Sequence, residues 1–201
     1  IKVALIRDKA FFDFLYAERN PLSRFAPKAM LGMIKRCAEL HLEHIGHGGD
    51  PFESGSSRPL DFGHWVAHKL EELSRSEVKH GEAVGIGIAL DSLYSHRLGM
   101  LGELDLFRIL NLLETLGFNL YHPALSWLDV DRALDDFREH LGGELSIPLL
   151  EGIGCKIEAH EIDVALMKQC IEQLAERAGG QGSEALPVTP PGEGSAGSRN
   201  A

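Results

Sequence analysis

A chain of 201 residues, 44% of them hydrophobic, has enough apolar side chains for one substantial core and a tail. A formal charge of −10 argues against the basic face that nucleic-acid binding requires, and no run of about 18 apolar residues offers a membrane span. Cys37, Cys155 and Cys170 share no metal-type or redox-type spacing, so they read as reduced thiols, mostly in the core; with no export signal, the expected setting is the cytoplasm.

The predicted elements are mainly helical. Residues 1 to about 18 form an apparent helix with Val3, Leu5, Ile6, Phe11, Phe12, Phe14 and Leu15 on a broad apolar face. A natural N-terminus rarely starts inside so apolar a helix, so an upstream part is expected to be missing. Pro21 closes this helix, and a second runs over residues 26–45 with Met30, Met33, Ile34, Cys37, Leu40 and Leu42 turned inward. Residues 46–59 read as a loop. Helices follow over residues 61–74 and 82–98, the latter stopped by Gly99, and over 103–116 with Leu106, Ile109, Leu110 and Leu113 in phase. A helix over 130–140 leads to a short strand at 145–150, and a last helix spans 163–177. From Gly179 the chain is Gly, Pro, Ser and Ala without apolar period, so residues 1–178 are expected to fold and 179–201 to be a disordered tail.

One stretch carries chemistry. His64 and His68 lie one turn apart on one helix face, and His80 opens the next helix after the turn-like Ser74-Arg75-Ser76. Gly81, Gly85 and Gly87 permit the two helices to approach closely. A histidine pair at this spacing is common on ordinary exposed helices, but a third imidazole and a glycine-rich partner helix suit a catalytic Zn²⁺ site, or one for another divalent metal, with three protein ligands and an open position. Gly85 and Gly87 fall inside a helix and read as a packing device, and no GxGxxG loop occurs.

Three motifs then stand in order: Asp61-Phe62-Gly63-His64 running to His68 and Glu71; His80-Gly81-Glu82-Ala83-Val84; and Leu149-Leu150-Glu151-Gly152-Ile153-Gly154. With these the chain, from residue 1 to about 176, resembles the helical C-terminal domain of 3-dehydroquinate synthase and its relatives, the sugar phosphate cyclases. The resemblance implies a mainly α domain with at most one or two short strands. It implies that His64 and His80 are zinc ligands, that His68 lines the substrate phosphate site, and that Lys2 is the active-site lysine near the metal. The third family ligand, a Glu just ahead of an Ile-Lys pair, falls before Ile1. NAD is expected to be bound mainly by an N-terminal domain absent from this chain, and the full-length protein is expected to be a homodimer; the fragment alone is expected to be inactive.

The departures from the family pattern concern substrate. Asp61 stands where the synthase has Asn, and the family's arginine seven residues before the first histidine falls on Ser57, with Arg58 one place away. An arginine fork displaced by one residue no longer meets a carboxylate in the same way. The synthase's Asp-Lys-Lys run is replaced by Phe137-Arg138-Glu139-His140, so a lysine that helps bind phosphate or carboxylate is lost or replaced by Arg138, the substrate-binding candidate there. The expected activity is a zinc- and NAD-dependent cyclase, a carbon–oxygen lyase that expels phosphate and closes a carbocycle from either the shikimate-type keto acid phosphate or a heptulose 7-phosphate. Two other readings stay open: a glycerol-type or iron-type polyol dehydrogenase, and a degenerate helical binding domain. The expected partner is a sugar phosphate, with no nucleic acid and no membrane.

Overall fold

The run Gly85-Ile86-Gly87-Ile88-Ala89-Leu90 is apolar on every side, and a helix apolar all round must be enclosed by others. In the computed structural model, which describes residues 1–47 and 61–180, that run lies in α6 (His80–Arg97), and residues 85–95 are buried without interruption. Around it pack α5 (His64–Leu73), α7 (Glu103–Thr115), α9 (Val164–Gly180) and the strand β1 (Ile147–Gly152). Phe62, Trp65, Val66 and Leu70 fill the α5 side of this core, each contributing roughly 1.5–3 kcal/mol by leaving water. The chain is mostly helical, as its pattern predicts. Among the described residues, no helix is long and apolar enough to cross a membrane.

The N-terminal helix is not continuous. It divides into α1 (Lys2–Arg7) and α2 (Lys9–Ala17), because Asp8 leaves helical geometry and caps the second piece, its carboxylate accepting from Phe11 N at 2.9 Å. Arg36 holds that same carboxylate through two nitrogens, at 2.9 and 2.7 Å. Pro21 does not end this helix either. It sits in the first turn of a short α3 (Arg19–Ser23), where a proline removes no intrahelical hydrogen bond.

The helix α4 (Pro27–His47) carries a second correction. Ala29 and Leu40 are buried, but Leu31, Ile34, Cys37 and Leu42 face outward, so Ile34, Cys37 and Leu42 do not point into the core as periodicity predicts. Apolar spacing marks a face; only the neighbouring elements decide whether it is covered. The cysteines follow suit, since Cys37 and Cys155 are exposed and only Cys170 is buried.

After α7 come a 3-10 turn (Pro123–Trp127) and α8 (Val130–His140), whose ends match the predicted helix. β1 then pairs antiparallel with β2 (Cys155–Ala159), a strand that the sequence pattern did not announce. Gly154 turns the hairpin at φ +87, and its N–H donates to Leu5 O at 2.7 Å. A Cβ there would lie 2.6 Å from Lys9 N, so the hairpin seats on the α1–α2 junction through a residue that has to be glycine. The last helix, α9, runs on through Gly180. Residues 181–201 of the expected tail, and 48–59 of the expected loop with Leu60, lie outside the described residues.

Candidate metal and substrate site

The seam between α5 and α6 is set by two glycines. Gly63 precedes α5 in the left-handed region at φ +78, and a Cβ added to Gly87 would meet Gly63 O at 2.0 Å. Both sides are backbone, so no side chain can swing away to make room. This contact holds the start of α5 against the middle of α6, while Glu71 near the end of α5 meets His80 at the start of α6; the two helices therefore run antiparallel. Arg75 and Ser76, both at positive φ, make the tight turn between them.

The seam gathers the three histidines. Ring centroids are 5.4 Å apart for His64 and His80, 5.9 Å for His64 and His68, and 6.0 Å for His68 and His80. His80 Nδ1 lies 3.1 Å from Glu71 Oε2, and His64 Nδ1 lies 3.3 Å from the Phe62 carbonyl. A carboxylate and a carbonyl only accept, so in each neutral ring Nδ1 carries the proton and Nε2 keeps its lone pair for a ligand. Burial pushes the His64 imidazole down to about 4, helped by the positive charge of Lys2, so that ring is neutral at pH 7. One nitrogen each of His68 and His80 and one Glu71 oxygen lie within 4.8 Å of one another. Imidazoles with a carboxylate alongside are the donor set of a zinc-like divalent ion; the donor atoms that meet here are those of His68, Glu71 and His80, with the His64 ring beside them, its centroid 5.4 Å from that of His80.

The structure thus brings together Lys2, His64, His68 and His80. Asp61 stands at the entry to α5, where its carbonyl accepts from His64 N at 2.8 Å. Arg58 and Ser57 lie outside the described residues. Arg138 is not brought to the histidines: it pairs with Asp135 at 2.6 Å and lines an open cleft of about 340 Å³ with Asp131, His160 and Glu161. The α8 side chain that meets the cluster is His140, whose ring lies edge-on to His68 at 6.3 Å. Lys69 of α5, paired with Asp136 of α8 at 2.7 Å, holds these helices together.

Three residues of this neighbourhood escape sequence reasoning. Glu71 sits in the His-x-x-Glu motif but shows no role until His80 folds back onto it. His140 comes from a distant helix, and no spacing announces it. Asp91, fully buried in α6, had a signal that went unread: a lone acid inside an apolar run has to be paired.

The 3-dehydroquinate synthase C-terminal family model matches residues 1–139. The chain is 31% identical over 185 residues to the 2-epi-5-epi-valiolone synthase of Streptomyces hygroscopicus subsp. jinggangensis (strain 5008), across 88% of this chain and 44% of that protein. It is 29% identical over 176 residues to the 3-dehydroquinate synthase of Syntrophotalea carbinolica (strain DSM 2380 / NBRC 103641 / GraBd1), across 87% of this chain and 48% of that protein. The solved structure of the Streptomyces enzyme, with NAD⁺ and Zn²⁺ bound, superposes with a TM-score of 0.79 at 31% identity, over 88% of this chain and 49% of the other. A 2-deoxy-scyllo-inosose synthase complexed with carbaglucose-6-phosphate, NAD⁺ and Co²⁺ shares the fold at a TM-score of 0.62 and 20% identity, over 86% of this chain and 49% of that one. These matches and the helical fold around the histidine seam place the chain in a family of cyclising synthases. It belongs to the 3-dehydroquinate synthase family, as a C-terminal domain of that type, and it spans about half the length of the curated relatives it matches.

Proposed function

We propose that this chain is the metal- and substrate-binding half of a sugar phosphate cyclase, a carbon–oxygen lyase that expels phosphate and closes a carbocycle. The observation that carries the reading is the meeting of His64, His68 and His80 on the α5–α6 seam, with Lys2 close enough to act on His64. His64 and His80 would hold a divalent metal, zinc in the first instance, through their free Nε2 atoms, with a further ligand supplied from ahead of Ile1. A metal there supplies Lewis acidity to adjacent substrate oxygens, and NAD, held by a domain outside this chain, supplies reversible hydride exchange.

The chain's own residues do the rest. Lys2 puts a fixed positive charge beside the point where oxygen becomes anionic. His68 binds the substrate phosphate, with His140 beside it. His64 is neutral and committed through Nδ1 to Phe62, so it gives up no proton at pH 7. The dianionic substrate phosphate, held against His68, would then itself accept the proton.

Substrate choice rests on Asp61, Ser57 and Arg58. A substrate carboxylate buried without a cationic partner costs several kcal/mol, and Asp61, at the entry to α5, adds a like charge. A heptulose 7-phosphate, which lacks a carboxylate, is therefore the favoured substrate over the keto acid phosphate. The cytoplasmic setting and the homodimer belong to the same proposal.

The test uses the full-length protein with NAD and each phosphate, following inorganic phosphate and NADH absorbance together. The expected result is phosphate release without net NADH, faster with the heptulose phosphate, and a metal content of about one per chain that His64→Ala or His80→Ala abolishes. Steady NADH formation from glycerol or another polyol, with no phosphate released from any sugar phosphate, overturns the cyclase. Efficient dehydroquinate formation overturns the substrate choice alone and gives the carboxylate to Arg58.

A further inference from the structure

The buried carboxylate of Asp91 lies on α6, three turns beyond His80, and is wholly shielded from solvent. It makes two hydrogen bonds, one per oxygen: Oδ1 accepts from Trp65 Nε1 at 2.8 Å, and Oδ2 accepts from Gly63 N at 3.0 Å. Gly63 and Trp65 are the two residues that flank His64. The carboxylate thus grips the chain on both sides of one histidine.

We propose that Asp91 is a positioning residue for the metal site: it fixes the rotation of the first turn of α5, and with it the direction of His64 toward His80. The role deepens the metal-site reading above and rests on it. Close packing of Gly63 on Gly87 sets the distance between the helices, and the buried Trp65, Val66 and Leu70 turn the apolar face of α5 inward, but neither is a directed restraint, so the first turn keeps some freedom of rotation. Two directed bonds, one to a backbone N–H before the helix and one to an indole within its first turn, remove that freedom. Metal ligands need placement to within about 0.2 Å, so this restraint acts on affinity as well as on folding.

Only a carboxyl group, with two oxygens that can each accept, serves here. Both partners are donors, and each needs its own acceptor oxygen. Asparagine offers one oxygen, so its amide N–H₂ must face either the indole N–H or the Gly63 N–H.

The experiment measures Zn²⁺ affinity by chelator competition, and melting of the metal-free form, in the full-length protein and its W65F, D91N and D91N/W65F variants. W65F leaves the Gly63 bond in place but removes one of the two restraints, so it should bind zinc a few-fold more weakly than wild type. D91N should bind about 10-fold more weakly, the low end of the range for losing a group bonded to a metal ligand itself, because Asp91 acts on His64 through its two neighbours. In D91N/W65F the donor conflict is gone and the asparagine oxygen can take the Gly63 N–H, so affinity should return to near that of W65F. A D91N protein that melts earlier but binds zinc as wild type does, or a double variant still as weak as D91N, overturns the proposal. If D91N alone fails to fold, the double variant decides by the same comparison with W65F. A wild-type protein that binds no metal sinks the metal-site reading itself, a result distinct from either.

Discussion

His80 Nδ1 stands 3.1 Å from Glu71 Oε2, and the two residues come from opposite ends of the α5–α6 turn. A carboxylate on the outer nitrogen of a ligand histidine fixes its tautomer and raises its basicity. Glu71→Gln keeps an oxygen acceptor and loses the charge, so zinc affinity should fall by about 10- to 100-fold, measured by chelator competition. Complete loss, equal to that of His80→Ala, would instead make Glu71 a direct ligand in the set it forms with His68 and His80.

The glycine seam predicts a contrast in stability. In Gly87→Ala the new Cβ would fall 2.0 Å from Gly63 O, forcing α5 and α6 apart; overpacking against backbone should cost about 3 kcal/mol or more. Gly81→Ala has nothing within 4 Å of the added carbon and gains helix propensity of up to about 1 kcal/mol. Thermal melts of the two variants should therefore move in opposite directions. A Gly87→Ala protein that melts with wild type refutes the close contact.

Burial pushes the Asp91 carboxyl up to about 7, against the opposing pull of its two donors, Trp65 and Gly63. Its ordinary value is 3.8, so between about pH 4 and pH 7 the folded chain holds this proton and the unfolded chain does not. The contribution of Asp91 to stability is thus greatest near pH 4 and declines as pH rises to 7, by at most about 1.4 kcal/mol per pH unit. Urea unfolding of metal-free wild type and D91N at several pH values checks this. The advantage of wild type over D91N should shrink with rising pH, and an advantage that grows would reverse the assignment.

On α8, His140 faces His68 and Arg138 faces Asp135, so the two should differ in function. His140→Ala should raise KM for the proposed sugar phosphate substrate by about tenfold, the cost of a hydrogen bond to a charged group, with little change in melting. Arg138→Ala should change KM by less than about twofold. Steady-state kinetics on the full-length protein give both numbers, and the opposite order would return the substrate role to Arg138.

The helices with two sides were legible in the chain alone. A run that keeps period through Leu106, Ile109, Leu110 and Leu113 admits one local solution, and α7 has it. The motif around His64, His68 and His80 was legible too, because two of its rings share a helix face and the third follows a short turn. What the pattern could not contain were relations between separated elements. Ile34, Cys37 and Leu42 look like core positions until it is seen that nothing among the described residues covers them, and Asp8 breaks a helix that periodicity would continue, because its carboxylate caps α2 and pairs with Arg36, 28 residues away. Arg138 and His140 differ by two positions on one helix, which is enough to point them in different directions. Which of them meets His68 depends on how α8 docks on α5, through Lys69 and Asp136, and docking is a property of the packed whole. Local sequence determined the elements and the residue types of the site, since both are governed by neighbours a turn apart. Tertiary structure decided the partners of Glu71, Asp91 and His140, since directed hydrogen bonds and ring contacts exist only once distant segments are held within a few ångströms.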